Sequence, residues 1–143
     1  MTDKENFQKK FYEFNLYRRQ AEGVLQELTL LSQTAEGLKQ TQETLDNIKK
    51  LGKEHEILAP LGGNSFGKAK LTDTKKVLIG VGADVVMEKS ATDASKILSD
   101  RAKEVEDAKA SLEGQLKDLD KRMTKLEPEI EQLAGKAKKA EKA

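Results

Sequence analysis

The apolar positions of this chain repeat every seven residues over two long stretches, with a different texture between them. From about residue 4 to 52 one series runs Phe7, Phe14, Ala21, Leu28, Ala35, and a second runs Tyr17, Val24, Leu31, Leu38, Leu45. The second series follows the first by three, the offset of the two core positions of a coiled coil. The stretch holds no proline. Gly23 and Gly37 each cost about 1 kcal/mol relative to alanine inside a helix. The seam weakens at Gln42 and Lys49, and Gly52 is expected to cap the helix end. From about 90 to 137 the pattern returns as Leu98, Val105, Leu112, Leu119, Leu126, Leu133, and as Ala102, Leu116, Met123, Ile130, Ala137, broken only by Lys109. Ser90, Thr92 or Asp93 can cap its start. Pro128 removes a backbone donor, so a kink or a restart is expected there. Residues 138–143, rich in lysine and alanine, are expected to form a flexible, solvated tail.

Residues 55–89 read differently. His55–Leu61, Ser65–Leu71, Lys76–Val81 and Asp84–Lys89 are short β-prone runs, separated by Gly62-Gly63-Asn64, Thr72-Asp73-Thr74 and Gly82-Ala83. That spacing predicts two successive β-hairpins. Two hairpins alone are marginal in water. Ile57, Leu58, Val77, Leu78 and Ile79 must therefore pack against something, most simply hairpins of other subunits. Two arms of matching length, each about 70 Å at 1.5 Å per residue, favour an antiparallel helical hairpin with the β unit at one end.

Composition supports an assembling protein over an enzyme. In 143 residues, 36% are charged and 4% aromatic, too few large side chains for a globular core but enough for a narrow helical seam. The net charge of +1 gives no electrostatic case for nucleic acid. The absence of cysteine excludes disulfides and thiolate chemistry and is compatible with the cytosol. No apolar run approaches the roughly 20 residues of a membrane span, and the polar start lacks a signal-peptide core.

Candidate chemistry is sparse. Gly62-Gly63-Asn64-Ser65-Phe66-Gly67-Lys68 matches most of a nucleotide-binding loop. It is followed by Ala69 where Ser or Thr would hold a magnesium ion, and by another turn where a helix should begin. Gly80-x-Gly82 reads as a hairpin turn, since no helix follows. His55 is the only histidine, too few for a histidine metal site. No carboxylate pair stands out as acid and base, and no cofactor is expected. Five of the six aromatics fall in the first seventeen residues: Phe7, Phe11, Tyr12, Phe14 and Tyr17. Phe11 and Tyr12 lie off the seam. With Ile130 and Leu133 brought near, they predict an apolar patch at the end away from the β unit, the kind of surface that marks interaction.

The segment Pro60–Leu71, the segment Val77–Ala83 and the late Met123-Thr124-Lys125-Leu126-Glu127-Pro128 together resemble the α-type (archaeal-like) subunits of prefoldin. Two hairpins point to the α class over the β class. The resemblance covers nearly the whole chain, as one domain of residues 1–143. It implies a mostly α fold, a long antiparallel coiled-coil hairpin with two central β-hairpins that join other subunits in an oligomeric β-barrel platform. It also implies a cytoplasmic, ATP-independent chaperone in which two α-type and four β-type subunits assemble. The coiled-coil ends would hold unfolded clients for transfer to a group II chaperonin. By that analogy Phe7, Phe11, Phe14, Ile130 and Leu133 are client-binding candidates. Ile57, Leu58, Phe66, Leu71, Val77 and Ile79 are platform candidates, and Leu28, Leu31, Leu38, Leu45, Leu98, Val105, Leu112, Leu116, Leu119 and Leu126 form the seam. A structural, filament-forming prefoldin relative is the alternative; an RNA-binding helical hairpin and an ATP-binding loop are weaker ones.

Overall fold

A computed structural model describes residues 2–52 and 54–142. The order is α1 (Asp3–Lys50), β1 (Glu56–Gly62), β2 (Ser65–Lys70), β3 (Lys76–Gly82), β4 (Val85–Ser90) and α2 (Ala91–Lys142). Two compact units result: Met1–Gln33 with Glu106–Ala143, and Thr34–Val105.

α1 begins at a capping box and α2 at a single serine cap. At α1, the Glu5 amide donates to Thr2 Oγ1 (3.3 Å) and the Thr2 amide to Glu5 Oε2 (3.4 Å), satisfying amides that have no partner within the helix. At α2, the Asp93 amide donates to Ser90 Oγ at 3.0 Å, so Ser90 is the cap among the three candidates. The end of α1 differs from expectation. The Leu51 amide bonds the Ile48 carbonyl (3.1 Å), a tight i→i−3 closure that needs no left-handed glycine. Gly52 accordingly lacks a positive φ, and the left-handed residue is Glu54, at φ 67°.

α2 also corrects the sequence reading twice. It continues through Pro128 without a restart. Proline there costs the Thr124 carbonyl one donor, but Leu126 is buried and Glu129 and Ile130 are half-buried on either side, so packing holds the turn. The helix also runs on to Lys142 through the stretch expected to be a tail, in keeping with the high helix propensity of Ala, Lys and Glu; Ala143 lies outside the described residues.

The buried and half-buried positions trace the predicted seam. In α1 they include Phe7, Lys10, Phe14, Tyr17, Ala21, Val24, Leu28, Leu31, Ala35, Leu38, Gln42 and Leu45. In α2 they include Leu98, Ala102, Val105, Lys109, Leu112, Leu116, Leu119, Met123, Leu126, Ile130 and Leu133. Steps of three and four alternate throughout, as coiled-coil packing requires. Leu16, Leu25 and Leu30, between those positions, are exposed. Lys109 keeps its seam position with its side chain 22% exposed and its ammonium 3.7 Å from Glu106 Oε1; its methylene stem does the covering.

The strands form two separate antiparallel pairs, β1 with β2 and β3 with β4. The two hairpins share one plan. Each shifts register just before its turn, between Pro60 and Gly62 and between Gly80 and Gly82. Each turn has two left-handed central residues, Gly63 (φ 56°) with Asn64 (φ 61°), and Ala83 (φ 50°) with Asp84 (φ 59°). That is the type I′ geometry whose twist suits a two-residue hairpin. Beyond the strand ends, the Leu71 amide bonds the His55 carbonyl (3.0 Å) and the Ala91 amide bonds the Lys75 carbonyl (2.8 Å). Between the hairpins, Asp73 Oδ1 accepts from the amides of Lys75 (2.8 Å) and Lys76 (3.2 Å), fixing the turn there.

In the second unit Leu45, Ile79, Ala94 and Leu98 form a buried cluster, with Leu38, Val77 and Ile97 packed against it. Ala94 is fully buried, its small side chain allowing close approach. The Arg101 guanidinium donates to the Gly80 carbonyl, tying β3 to α2.

Candidate interaction surfaces

The first candidate surface lies in the first unit, where the N-terminal part of α1 runs antiparallel to the C-terminal part of α2. Lys10 Nζ is 2.6 Å from Glu129 Oε2, and the Arg122 guanidinium sits 5.6 Å from the centroid of the Tyr17 ring. Partners thus recede along one helix as they advance along the other. Lys10 takes the position seven residues before Tyr17, so the ion pair occupies the seam. The hydrogen bond from Lys10, helped by the charges of Lys10 and Lys125 and opposed by partial desolvation, holds the Glu129 carboxyl below its ordinary value.

Aromatics surround this pair. The rings of Phe7 and Phe11 stack, with centroids 5.7 Å apart and planes 12° from parallel, a favourable offset arrangement. Phe7, Phe14, Ile130 and Leu133 are half-buried, whereas Phe11 is exposed. The five predicted client-binding residues therefore divide: four serve the helix–helix seam with one side still accessible, and Phe11 extends the surface outward. A shallow groove lined by Thr2, Asp3, Phe7, Gln8 and Lys136 adjoins Phe7. The heptad count missed Lys10 because it scored apolar residues only; the seven-residue step from Tyr17 back to Lys10 was the available signal.

The second surface is the hairpins. Strand alternation sorts the predicted platform residues. Leu58 and Phe66 are exposed, at 67% and 57%, while Ile57 and Leu71 are half-buried. Val77 and Ile79 correct the expectation that they await other subunits: they pack into the cluster with Leu45 and Leu98, because period-two alternation turns them together toward the helices. The exposed residues on the opposite face are Leu78 and, across the strand pair opposite Gly80, Val86. The predicted list omitted both, although alternation with Val77 and Ile79 marked Leu78 as belonging to the opposite face. Each hairpin also has unpaired outer edges, a template for further strands.

The nucleotide-like loop is a hairpin. Gly63 and Asn64 form the turn, Ser65 Oγ donates to the Gly62 carbonyl at 2.6 Å, and Lys68 stands in β2 with its ammonium 3.9 Å from Glu56 Oε1. No helix N-terminus faces it, so the phosphate cradle is missing. Among the described residues no group of three or more His, Asp or Glu side chains is placed to hold a metal, and no helix is long and apolar enough to cross a membrane.

A family model described as "Prefoldin subunit" matches residues 17–136. The chain is 34% identical over 117 residues to prefoldin subunit alpha of Pyrococcus horikoshii, covering 81% of this chain and 79% of that one. It is 33% identical over 140 residues to prefoldin subunit alpha 1 of Methanocaldococcus jannaschii, covering 96% and 94%. Among solved structures, a cryo-EM structure of filamentous PFD from Methanocaldococcus jannaschii matches with a TM-score of 0.71 and 28% identity, covering 80% of this chain and 95% of that chain.

Proposed function

The chain belongs to the prefoldin family as an archaeal-type α subunit, and from that premise we propose that it is an ATP-independent holdase that captures unfolded polypeptides at its paired helix ends. At the coarser level it is a chaperone-type subunit of a hetero-oligomeric prefoldin complex. The observation that carries the finer reading is the aromatic stack of Phe7 and Phe11, with Phe11 half exposed beside a seam that is already closed by Phe14, Ile130 and Leu133.

The physics is avidity. Unfolded chains expose apolar segments, several subunit ends engage at once, and each contact is weak. Linkage makes the sum strong while leaving release possible without nucleotide. Assembly runs through the hairpins, whose outward faces carry Leu58, Phe66, Leu78 and Val86. We place two such subunits with four β-type subunits on a shared β-barrel platform, in the cytoplasm, passing clients to a group II chaperonin.

The test is aggregation of a chemically unfolded protein without ATP, at rising ratios of this chain with and without a β-type subunit. Suppression that needs the partner, with a complex of hexamer size, supports the reading. Phe7→Ser with Phe11→Ser is expected to leave assembly intact and weaken suppression; unchanged suppression overturns the placement at the helix ends. A second reading, a filament-forming structural subunit, draws on the similarity to a filamentous relative. Extended assemblies of this chain alone, with no suppression, favour it.

A further inference from the structure

The outward face of the N-terminal part of α1 is built for more than solvent. Two residues along a helix is about 200° of rotation. Tyr12 and Leu16 each stand two residues from the seam residue Phe14, and Arg19 stands two from Tyr17, so all three face away from α2. There Phe11, Tyr12, Asn15, Leu16, Arg18 and Arg19 line one groove. The three apolar members are 48%, 69% and 40% exposed for Phe11, Tyr12 and Leu16. Coiled-coil pairing does not require them, and a solvated helix face ordinarily carries Lys, Glu and Gln.

The charges on this face lean one way. Among the described residues neither Arg18 nor Arg19 is paired with a carboxylate. The groove's lining holds no acid, and the nearest acid in sequence, Glu22, three residues after Arg19 and four after Arg18, makes no ion pair with either among the described residues. Two unpaired guanidiniums beside three exposed apolar side chains are complementary to a ligand that is apolar and acidic together. Guanidinium groups bind carboxylates in a bidentate fork and tolerate partial desolvation better than ammonium groups.

We propose that this groove selects clients: it takes acidic, apolar segments of unfolded polypeptides, with side chains on Phe11, Tyr12 and Leu16 and carboxylates on Arg18 and Arg19. This rests on the reading that the helix ends hold clients, and it adds a charge preference that the seam residues do not supply.

Three fluorescent peptides with the same apolar residues, interspersed with Asp, Ser or Lys, test it against the full chain assembled with a β-type subunit. The expected order of affinity is Asp, Ser, Lys, with Asp over Lys by about fivefold at low salt, as two exposed ion pairs would give, and with the difference shrinking as salt screens them. Arg18→Gln with Arg19→Gln should erase the order and leave the Ser peptide unchanged. Phe11→Ser with Leu16→Ser should weaken all three peptides. Equal binding of the three by the unaltered protein, or an order that survives the glutamine variant, overturns the proposal. So does a single-stranded oligothymidylate that binds more tightly than the Asp peptide through the same arginines. If urea-unfolded protein is held but the peptides are not distinguished, only the charge preference falls. If neither unfolded protein nor any peptide is held, the holdase reading falls with it.

Discussion

Lys10 and Glu129, 119 residues apart in the chain, meet at 2.6 Å within the seam of the first unit. The contact fixes the register of the two helices beside the stacked Phe7 and Phe11. A lysine at a core position of a coiled coil costs stability and specifies alignment, and Glu129 is the group that makes Lys10 tolerable there.

The pair makes the helix ends acid-sensitive. Glu129 is held below its ordinary value of 4.5, so its contribution is complete above that value and is lost as pH falls through the lowered one. The melting temperature of the wild-type protein should exceed that of Glu129→Gln at pH 7, and the gap should close as pH drops below about 4. A gap that stays constant with pH would show that the carboxylate is not the cause.

Burial sorts the leucines. Leu98, 5% exposed in the cluster with Leu45 and Ile79, should cost about 2–4 kcal/mol when replaced by alanine. Leu25, half exposed, should change stability by no more than about 0.5 kcal/mol. Urea unfolding followed by helical ellipticity separates the two; equal effects would mean the seam is misplaced.

The second hairpin turn is strained where the first is not. Ala83 holds φ 50° and Asp84 φ 59°, a region that costs most L-residues about 1–2 kcal/mol. Ala83→Asn with Asp84→Gly matches the type I′ preference and should raise the melting temperature. Asn64→Val, at φ 61° in the first turn, should lower it, since a β-branched side chain suits that region poorly.

Leu78 is 74% exposed on the outward face of β3, opposite Glu88 across the strand pair. Leu78→Lys should leave ellipticity unchanged and reduce the sedimentation coefficient, because it alters only the face proposed to meet another subunit. Ile79→Lys, from the inward face, should instead unfold the second unit. Should Leu78→Lys assemble normally, the outward face is not the interface.

The seam could be read from sequence because seven-residue spacing repeats many times, so single exceptions such as Lys109 and Gln42 do not disturb it. The hairpins could be read because Gly62-Gly63-Asn64 and Gly82-Ala83 interrupt β-prone runs at hairpin spacing. What stayed hidden depended on three-dimensional neighbours. Apolar content alone could not tell which face of β3 the helices would cover, so Val77 and Ile79 were assigned outward. Pro128 was expected to kink or restart the helix, and the restart does not occur: local rules carry no knowledge of Leu126 and Ile130 packing on both sides of it. Lys10 drew no notice until Glu129, far away in sequence, came beside it.

The repeated plan of the two hairpins makes the chain bifunctional in the polymer chemist's sense: it carries two sticky groups of one kind, each with free edges. Bifunctional units close into rings or extend into lines, and the angle between their groups decides which. Here the groups are joined by the short link 71–75, where one carboxylate oxygen of Asp73 gathers two successive amides. Under the proposed assembly through the hairpins, a single side chain in that link bears on whether the particle closes or extends.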